Sequence, residues 1–342
     1  MQDKLKIAVL GSTGYVGLEL INILSKHPNV LIKALGSDTY PGKNINEFDK
    51  RISKNFLPKL EKNNNIDLNH IDLTFLALPH IASHEYVKNN FSKSKIIDLS
   101  ADFRLDDVNI YEKNYNTKHS CPELLESFVY GLPELNNEII KKSNNVSIPG
   151  CYPTSIILPL FPLFKKNLLK KDNIIVDSKS GYSGAGKKFD KINIFKDNNY
   201  NFYNYNTNNH RHICEIQQEL SKSCNSKINF SFNPHIMPIF RGMMSTIYCD
   251  LEKGATLKDL KNELDIFYKN ANFIKIIEDE ERLDFFKIQN KNYFYIKLFN
   301  HYNISKVIIV SAIDNLLKGA SGQAVQCMNL MYNLNENLAL EN

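Results

Sequence analysis

Cys151 stands in the run Ile148-Pro149-Gly150-Cys151-Tyr152-Pro153-Thr154, between two prolines and directly after a glycine. The apolar residues Ile156-Ile157-Leu158 follow at once, so the spacing predicts a helix that starts just beyond the thiol. Pro149 and Gly150 stop the preceding segment and turn the chain, and Pro153 suits a first helical turn. The thiol would then face unpaired N–H groups and the positive end of the helix dipole, which favours thiolate. An exposed helix end contributes about 0.3–1 kcal/mol. Bringing a thiol from about 8.5 to near neutrality takes about 2 kcal/mol, so the dipole falls short. A reactive Cys151 therefore needs a histidine partner; without one it is a small buried hydrophobe.

The partner is sought in His210-Arg211-His212-Ile213-Cys214-Glu215. Two histidines two apart point the same way from an extended backbone, and Glu215 could orient one of them. A metal site would want further ligands and only Cys214 is near, so no metal is expected. A satisfied structural pair is the second reading; a general base for Cys151, His212 or His210, is the favoured one because the thiol needs a partner. Arg104, in Ser100-Ala101-Asp102-Phe103-Arg104, and Arg241, in Asn233-Pro234-His235-Ile236-Met237-Pro238-Ile239-Phe240-Arg241-Gly242, could each hold an anionic substrate. Either could instead be an ordinary surface or loop ion pair. Ser180 and Glu215 are further substrate contacts to test.

These residues need elements to carry them. Residues 4–10 read as a buried strand, followed by Gly11-Ser12-Thr13-Gly14-Tyr15-Val16-Gly17 and a helix to residue 26. A second strand over 31–35 ends at Gly36-Ser37-Asp38. Strand, glycine turn, helix and strand open a dinucleotide-binding unit, with the pyrophosphate received at the helix N-terminus. The spacing is G-x-x-G-x-x-G, so the context carries the reading. Asp38 could accept ribose hydroxyls of NAD, whereas Ser37 and Lys43 could hold a 2′-phosphate; the choice stays open here. Strands at 71–78 and 95–99 follow, with a helix over 81–91 between them. Pro79 lies at the carboxyl end of the first, where such sheets bind ligands.

After Cys151 the pattern changes. Strands are predicted at 173–180, 227–232, 243–251, 293–299 and 306–313, with one amphipathic helix marked by Leu257, Leu260, Leu264 and Phe267 and capped by Thr256. That is an α+β domain on a mostly antiparallel sheet. Ser180-Gly181-Tyr182-Ser183-Gly184-Ala185-Gly186 is a second glycine-rich turn, which could approach the nicotinamide through Ser183, Gly184 and Gly186 or could be a flexible hairpin. Residues 190–209 are rich in Asn and Tyr without periodicity and read as a polar surface loop rather than a lid. Asp314-Asn315 through Gln323 opens a long helix with Leu317, Ala320, Ala324, Met328 and Met331 as its buried stripe, Asn315 being a candidate cofactor contact.

Composition narrows the classes. The formal charge of +5 over 342 residues is spread without a basic block, so no nucleic-acid partner is expected. Six scattered cysteines with no C-x-x-C pair suggest reduced thiols in the cytoplasm. No signal-peptide pattern precedes the first strand. The most apolar segment, 156–164, is about half a membrane span and carries two prolines, so no membrane partner is expected.

With these pieces in order, the chain resembles the N-acetyl-gamma-glutamyl-phosphate reductase family nearly end to end. The resemblance rests on Pro149-Gly150-Cys151-Tyr152-Pro153-Thr154, residues 181–186, His210-Arg211-His212, Pro234-His235 with Pro238 and Arg241-Gly242, and Asp314-Asn315 through Gln323. It implies a Rossmann NADP-binding domain over 1–150, completed by a terminal helix in 315–342, and a catalytic and dimerisation domain over 151–314. It further implies NADPH as reductant, Cys151 as nucleophile and a homodimer or homotetramer. Cys214, where the family usually has proline, and Asp38, where a basic residue is common, depart from its pattern. A reductase of another acyl phosphate shares the machinery, and a non-catalytic dinucleotide sensor would bind cofactor without a reactive thiol. A thiol hydrolase would leave the glycine turns unexplained.

Overall fold

The structure, a computed structural model, describes residues 4–52, 57–278 and 280–341. Residues 1–3, the opening of the expected first domain, lie outside the described residues. The chain divides into two compact units, Met1–Pro149 with Ala320–Asn342, and Gly150–Gly319.

In the first unit the chain runs β1 (Leu5–Leu10), α1 (Tyr15–Leu24), β2 (Val30–Gly36), β3 (Leu60–Glu61), β4 (Leu73–Leu76), α2 (Ala82–Asn90), β5 (Lys95–Asp98), α3 (Val108–Tyr115), β6 (Val129–Tyr130), α4 (Pro133–Lys142) and β7 (Asn145–Ser147). The strands form one sheet in the order β3-β2-β1-β4-β5-β7-β6, every pairing parallel. A parallel sheet covered on both faces needs strands that are apolar throughout. That is how Ile7, Ala8, Val9 and Leu10 read, all fully buried. The strand order reverses between β1 and β4, and ligands of such sheets bind at the carboxyl ends of the strands there.

The terminal helix Gly322–Met331 packs on α1 and α4, and every one of its residues is buried. The expected single buried stripe is thus too narrow a description. Helices on two sides leave it no solvent face, and His27 Nε2 meets Asn329 Oδ1 at 2.9 Å. It does not run unbroken from Asp314 either, because Leu317–Ser321 forms a wider π-turn ahead of it.

The second unit carries α5 (Cys151–Lys165), β8 (Ile174–Gly181), a small hairpin of β9 (Phe195–Lys196) and β10 (Asn199–Tyr200), β11 (Tyr203–Asn204), α6 (His212–Cys224), β12 (Phe230–Met237), β13 (Met243–Asp250), α7 (Leu257–Phe267), β14 (Ile274–Ile276), α8 (Phe285–Ile288), β15 (Phe294–Asn300) and β16 (Lys306–Ile313). Its large sheet runs β11-β12-β8-β13-β16-β15-β14. The expectation of a mostly antiparallel sheet is corrected: the sheet is mixed, with β12 parallel to β8 and β14 parallel to β15. Parallel neighbours need a long crossover. Helix α6 lies in the first such connection and α8 in the second. Thr256 caps α7 as its sequence predicts, in a reciprocal pair with Asp259.

Helix α5 packs on β13 and β16 although it holds Pro159 and Pro162. Each proline removes the N–H that would bond the carbonyl four residues back. Those two carbonyls are met from outside the helix: Ser311 Oγ donates to Ser155 O and Tyr268 Oη to Leu158 O, each at 2.6 Å. On the sheet, Ile175, Tyr248, Ile308 and Phe299 stand side by side in register, and three of them are exposed by 38–51%. Among the described residues no helix is long and apolar enough to cross a membrane.

Candidate active site

Cys151 is the first residue of α5, after Gly150 as N-cap, and its thiol, in no disulfide, is half-buried. The N–H groups of Cys151 and Tyr152 occupy helix positions that no intrahelical carbonyl can serve, and no acidic side chain stands in this first turn. The N–H of Gly150 donates to Glu215 Oε1 at 2.9 Å, and Glu215 is buried. A Cβ placed on Gly150 would lie 2.6 Å from His212 Nε2. The imidazole therefore rests on the residue just ahead of the thiol, where only glycine leaves room. A Cβ on Gly319 would lie 2.9 Å from that of Cys151, so a second glycine backs the thiol.

The two histidines come together differently from the extended arrangement expected of them. Arg211 has helical backbone angles (φ −55°, ψ −21°) and α6 starts at His212, yet the rings of His210 and His212 lie 4.7 Å apart. The local reason is a cap. The N–H of His212 donates to His210 Nδ1 at 3.1 Å, so an imidazole serves an N–H that the first turn leaves over. An accepting Nδ1 assigns the ring proton to Nε2, which donates to Tyr205 Oη at 3.4 Å. Tyr205 Oη then donates to Tyr152 Oη at 3.3 Å, and Tyr152 Oη to the carbonyl of His235 at 3.4 Å. Burial first, and the charge of Arg211 second, lower the pKa of His210 to about 4, so this ring is neutral near pH 7. Burial pushes Tyr205 up to about 12 and Tyr152 well above its usual range, which keeps both hydroxyls protonated.

Tyr152 and Tyr205 were not among the expected site residues. Tyr205 belongs to the aperiodic stretch read as a surface loop, and nothing in its spacing marks it. Cys214 is turned elsewhere: its Sγ donates to Arg211 O, and burial pushes its thiol up to about 11.

The second glycine-rich turn is not a flexible hairpin. Tyr182–Ala185 is a 3₁₀ turn, and the N–H groups of Gly181, Tyr182 and Ser183 donate to the carbonyls of Gly242, Ile239 and Phe240. Asn315 ties the two segments, accepting from the Gly242 N–H at 2.7 Å and donating to Ser183 Oγ at 2.9 Å. Ser180 Oγ sits under Gly184, 3.2 Å from where a Cβ would be. Gly186 is there for its backbone, φ +82° with open space around it. Arg241 is buried beside Asp314 at 3.3 Å and Asn290 at 2.8 Å.

In the first unit, Gly11 has φ +75°, and a Cβ there would lie 2.2 Å from Ala77 O. One on Gly17 would lie 2.4 Å from Gly11 O, so these two glycines let turn, strand and helix close on each other. Gly14 is the N-cap of α1, and a Cβ there would meet Gly11 O at 3.5 Å, an ordinary contact. Helix α1 shows no acidic residue in its first turn, and Ser12 Oγ bonds Val9 O from inside. Thr13 Oγ1 and Ser37 Oγ meet at 3.2 Å over the ends of β1 and β2. Tyr15 and Val16 begin α1, and Pro79 is exposed past the end of β4. This cradle, a glycine turn leading into a helix N-terminus that carries no acidic residue, fits a dinucleotide pyrophosphate. Both carboxylate oxygens of Asp38 accept from Asn63, its N–H at 2.9 Å and its Nδ2 at 2.7 Å. Arg104 is buried, with Nε donating to Ile148 O at 2.7 Å and Nη2 to Leu99 O at 3.1 Å.

Residues 6–143 match the family described as semialdehyde dehydrogenase, NAD binding domain, and residues 151–315 the semialdehyde dehydrogenase, dimerisation domain. The chain is 44% identical to an N-acetyl-gamma-glutamyl-phosphate reductase of Ehrlichia canis, over 100% of this chain and 99% of that one. It is 42% identical to the enzyme of the same name from Caldicellulosiruptor bescii, over 98% of each. Aspartate semialdehyde dehydrogenase II of Vibrio cholerae shares the fold, with a TM-score of 0.74 at 16% identity over 97% of this chain and 99% of that one.

Proposed function

Because the chain belongs to the N-acetyl-gamma-glutamyl-phosphate reductase family, we propose that it reduces N-acetyl-gamma-glutamyl phosphate to N-acetylglutamate semialdehyde with NADPH, through a thioester on Cys151, as a step of arginine biosynthesis in the cytoplasm. The observation that carries this reading is that His212 Nε2 and Glu215 both meet Gly150, directly ahead of a half-buried thiol at a helix N-terminus.

The Cys151 thiolate attacks the acyl carbonyl, and N–H groups of the first turn of α5 stabilise the oxyanion. The carboxylate must be phosphorylated, since a free carboxylate is too poor an electrophile. The tetrahedral adduct collapses, the C–O bond to phosphate breaks, and phosphate is received by Arg104 or Arg241. NADPH, when bound, supplies the hydride that converts the thioester to a thiohemiacetal. His212 gives the oxygen its proton and takes it back as the C–S bond breaks, releasing semialdehyde and thiolate. His210, neutral and bonded to the His212 backbone, holds that ring in place. Ser180 and Glu215 are assigned to the acyl substrate in this reading.

The first unit is assigned the dinucleotide: Gly11, Ser12, Thr13, Gly14, Tyr15, Val16 and Gly17 around the pyrophosphate, Ser37 and Thr13 toward the ribose, and Pro79 beside them. The engagement of Asp38 by Asn63 supports NADP over NAD, because the carboxylate that would accept a ribose 2′-hydroxyl is already bonded and a 2′-phosphate meets hydroxyls instead. Ser183, Gly184, Gly186 and Asn315 are proposed for the nicotinamide end. The in-register row Ile175, Tyr248, Ile308 and Phe299 supports an assembly in which a second copy covers this sheet face, as a homodimer or a pair of dimers.

The test is phosphate-dependent oxidation of N-acetylglutamate semialdehyde with NADP and with NAD. NADP-preferring turnover that Cys151→Ser abolishes, while cofactor binding persists, is the expected result. Wild-type-like turnover by Cys151→Ser would refute the thioester.

A further inference from the structure

Ile81 has φ +76° and ψ −49°, a backbone conformation that a β-branched residue adopts only when its surroundings force it. It lies in Pro79-His80-Ile81, between the end of β4 and α2, and it is the N-cap of α2 although its side chain can cap nothing. The missing cap comes from another loop. Asp102, wholly buried past the end of β5, accepts the N–H of Ile81 on Oδ1 and the N–H of His84 on Oδ2, each at 3.0 Å. Those are the N–H groups of the N-cap and of the third helical residue, the pair that a reciprocal capping motif serves. Three further bonds fix Asp102. Tyr111 Oη donates to Oδ1 at 2.7 Å, the Asp102 N–H donates to Ser100 Oγ at 3.1 Å, and His119 Nε2 donates to the Asp102 carbonyl at 3.0 Å.

The segment so held adjoins the glycine turn. Ala77 donates its N–H to Leu10 O at 2.9 Å, and its own carbonyl fills the space beside Gly11. Ala77 and Leu78 thus pass directly beside the turn assigned to the pyrophosphate, and Pro79-His80-Ile81 continues the chain from them. We propose that Asp102 is a positioning residue for dinucleotide binding: its carboxylate holds Ile81 in a strained conformation and thereby sets the Pro79-His80-Ile81 wall against which the cofactor binds. This rests on the dinucleotide reading of the first unit. It assigns Asp102 no contact with substrate or cofactor.

The strain gives a specific test, because glycine adopts φ +76° without cost. With the full chain, NADPH affinity, KM for the acyl phosphate and the alkylation rate of Cys151 are measured for wild type, Asp102→Asn, and Asp102→Asn with Ile81→Gly. Asp102→Asn is expected to weaken NADPH about tenfold and to leave acyl-phosphate KM and Cys151 alkylation within about twofold, the size of a lost charge-assisted bond. Ile81→Gly should restore most of that affinity. Tyr111→Phe, which deletes one buried hydroxyl, is the milder variant should Asp102→Asn fail to fold; about a threefold loss, again reversed by Ile81→Gly, is expected. Unchanged NADPH affinity in these variants, or a loss that Ile81→Gly does not reverse, would overturn the inference. Wild-type protein that binds NADPH without reducing the acyl phosphate would refute the proposed reaction and leave this inference standing.

Discussion

The imidazole of His212 lies against the backbone of Gly150, with Nε2 2.6 Å from the place a Cβ would take. The N–H of the same residue is bonded to Glu215, three positions after His212 on α6. One helix therefore grips the residue before the Cys151 thiol twice, through a ring and through a carboxylate. The relation between the His212 ring and the Cys151 thiol is set by packing on one residue rather than by a flexible side chain reaching across solvent.

Gly150→Ala should for that reason behave as a catalytic defect. The methyl group cannot share space with the ring, so His212 or the start of α5 must shift. A displacement of about 1 Å at a reacting centre costs about 100-fold in rate. The expected outcome is a fall in kcat of that order with NADPH affinity unchanged, read by steady-state kinetics beside direct cofactor titration. An unchanged kcat would mean that His212 does not act from the observed position.

Much of this arrangement could be read in advance, and the reasons differ by residue. The apolar runs of β1 and β4 and the glycines at 11, 14 and 17 announce a parallel sheet with a turn open to a ligand, since few other patterns have that shape. Thr256 announces α7 because a capping box is a local motif. Strand alternation, by contrast, records which face is buried and not the direction of the neighbour, so the parallel pairings of β12 and β14 were hidden. Two histidines separated by one residue fit both an extended strand and the first turn of a helix. Tyr205 comes to His210 from a stretch with no period, and Asp38 is taken up by a residue 25 positions away. Pairings of that kind leave no mark on spacing.

The proline-bearing helix behind the thiol offers a stability test. Tyr268→Phe leaves the carbonyl of Leu158 buried without its donor, which should cost about 1–3 kcal/mol in chemical denaturation. Pro162→Ala in that background supplies an N–H to the same carbonyl from within the helix. The double variant should regain most of the loss, a coupling that two independent effects would not give.

His210 predicts an acid limb. Its pKa is lowered from the ordinary 6.5 to about 4 in the fold, so between these values the unfolded chain takes up a proton that the folded chain refuses. Stability contributed by the neutral ring is full above pH 6.5 and is lost as pH falls toward 4, by about 2 kcal/mol at pH 5. His210→Asn keeps a short acceptor for the His212 N–H and removes this dependence. Its melting temperature should therefore lie further below wild type at pH 8 than at pH 5. The pH–rate limb near neutrality should stay where it is, since His210 does not titrate there; a limb that moves with His210→Asn would make that ring, and not His212, the base.

Asp98 predicts the opposite slope. It is wholly buried at the end of β5, accepting from the N–H and the hydroxyl of Ser100, and its pKa is raised to about 7, by burial first and by the charge of Asp102 second. A carboxyl raised in the fold holds a proton that the unfolded chain has already released, so this favourable difference is present below pH 4 and is lost as pH rises through 7. Above that the protein carries two buried carboxylates in one network. Asp98→Asn keeps the size and an accepting oxygen and never acquires the charge, while Ser100 Oγ can turn to accept from the new amide. The variant should gain on wild type as pH rises, by on the order of 2 kcal/mol between pH 5 and pH 8, in urea unfolding followed at both values. Equal differences at the two pH values would mean that Asp98 is ionised throughout, with the loop that holds Asp102 relieving the repulsion in some other way.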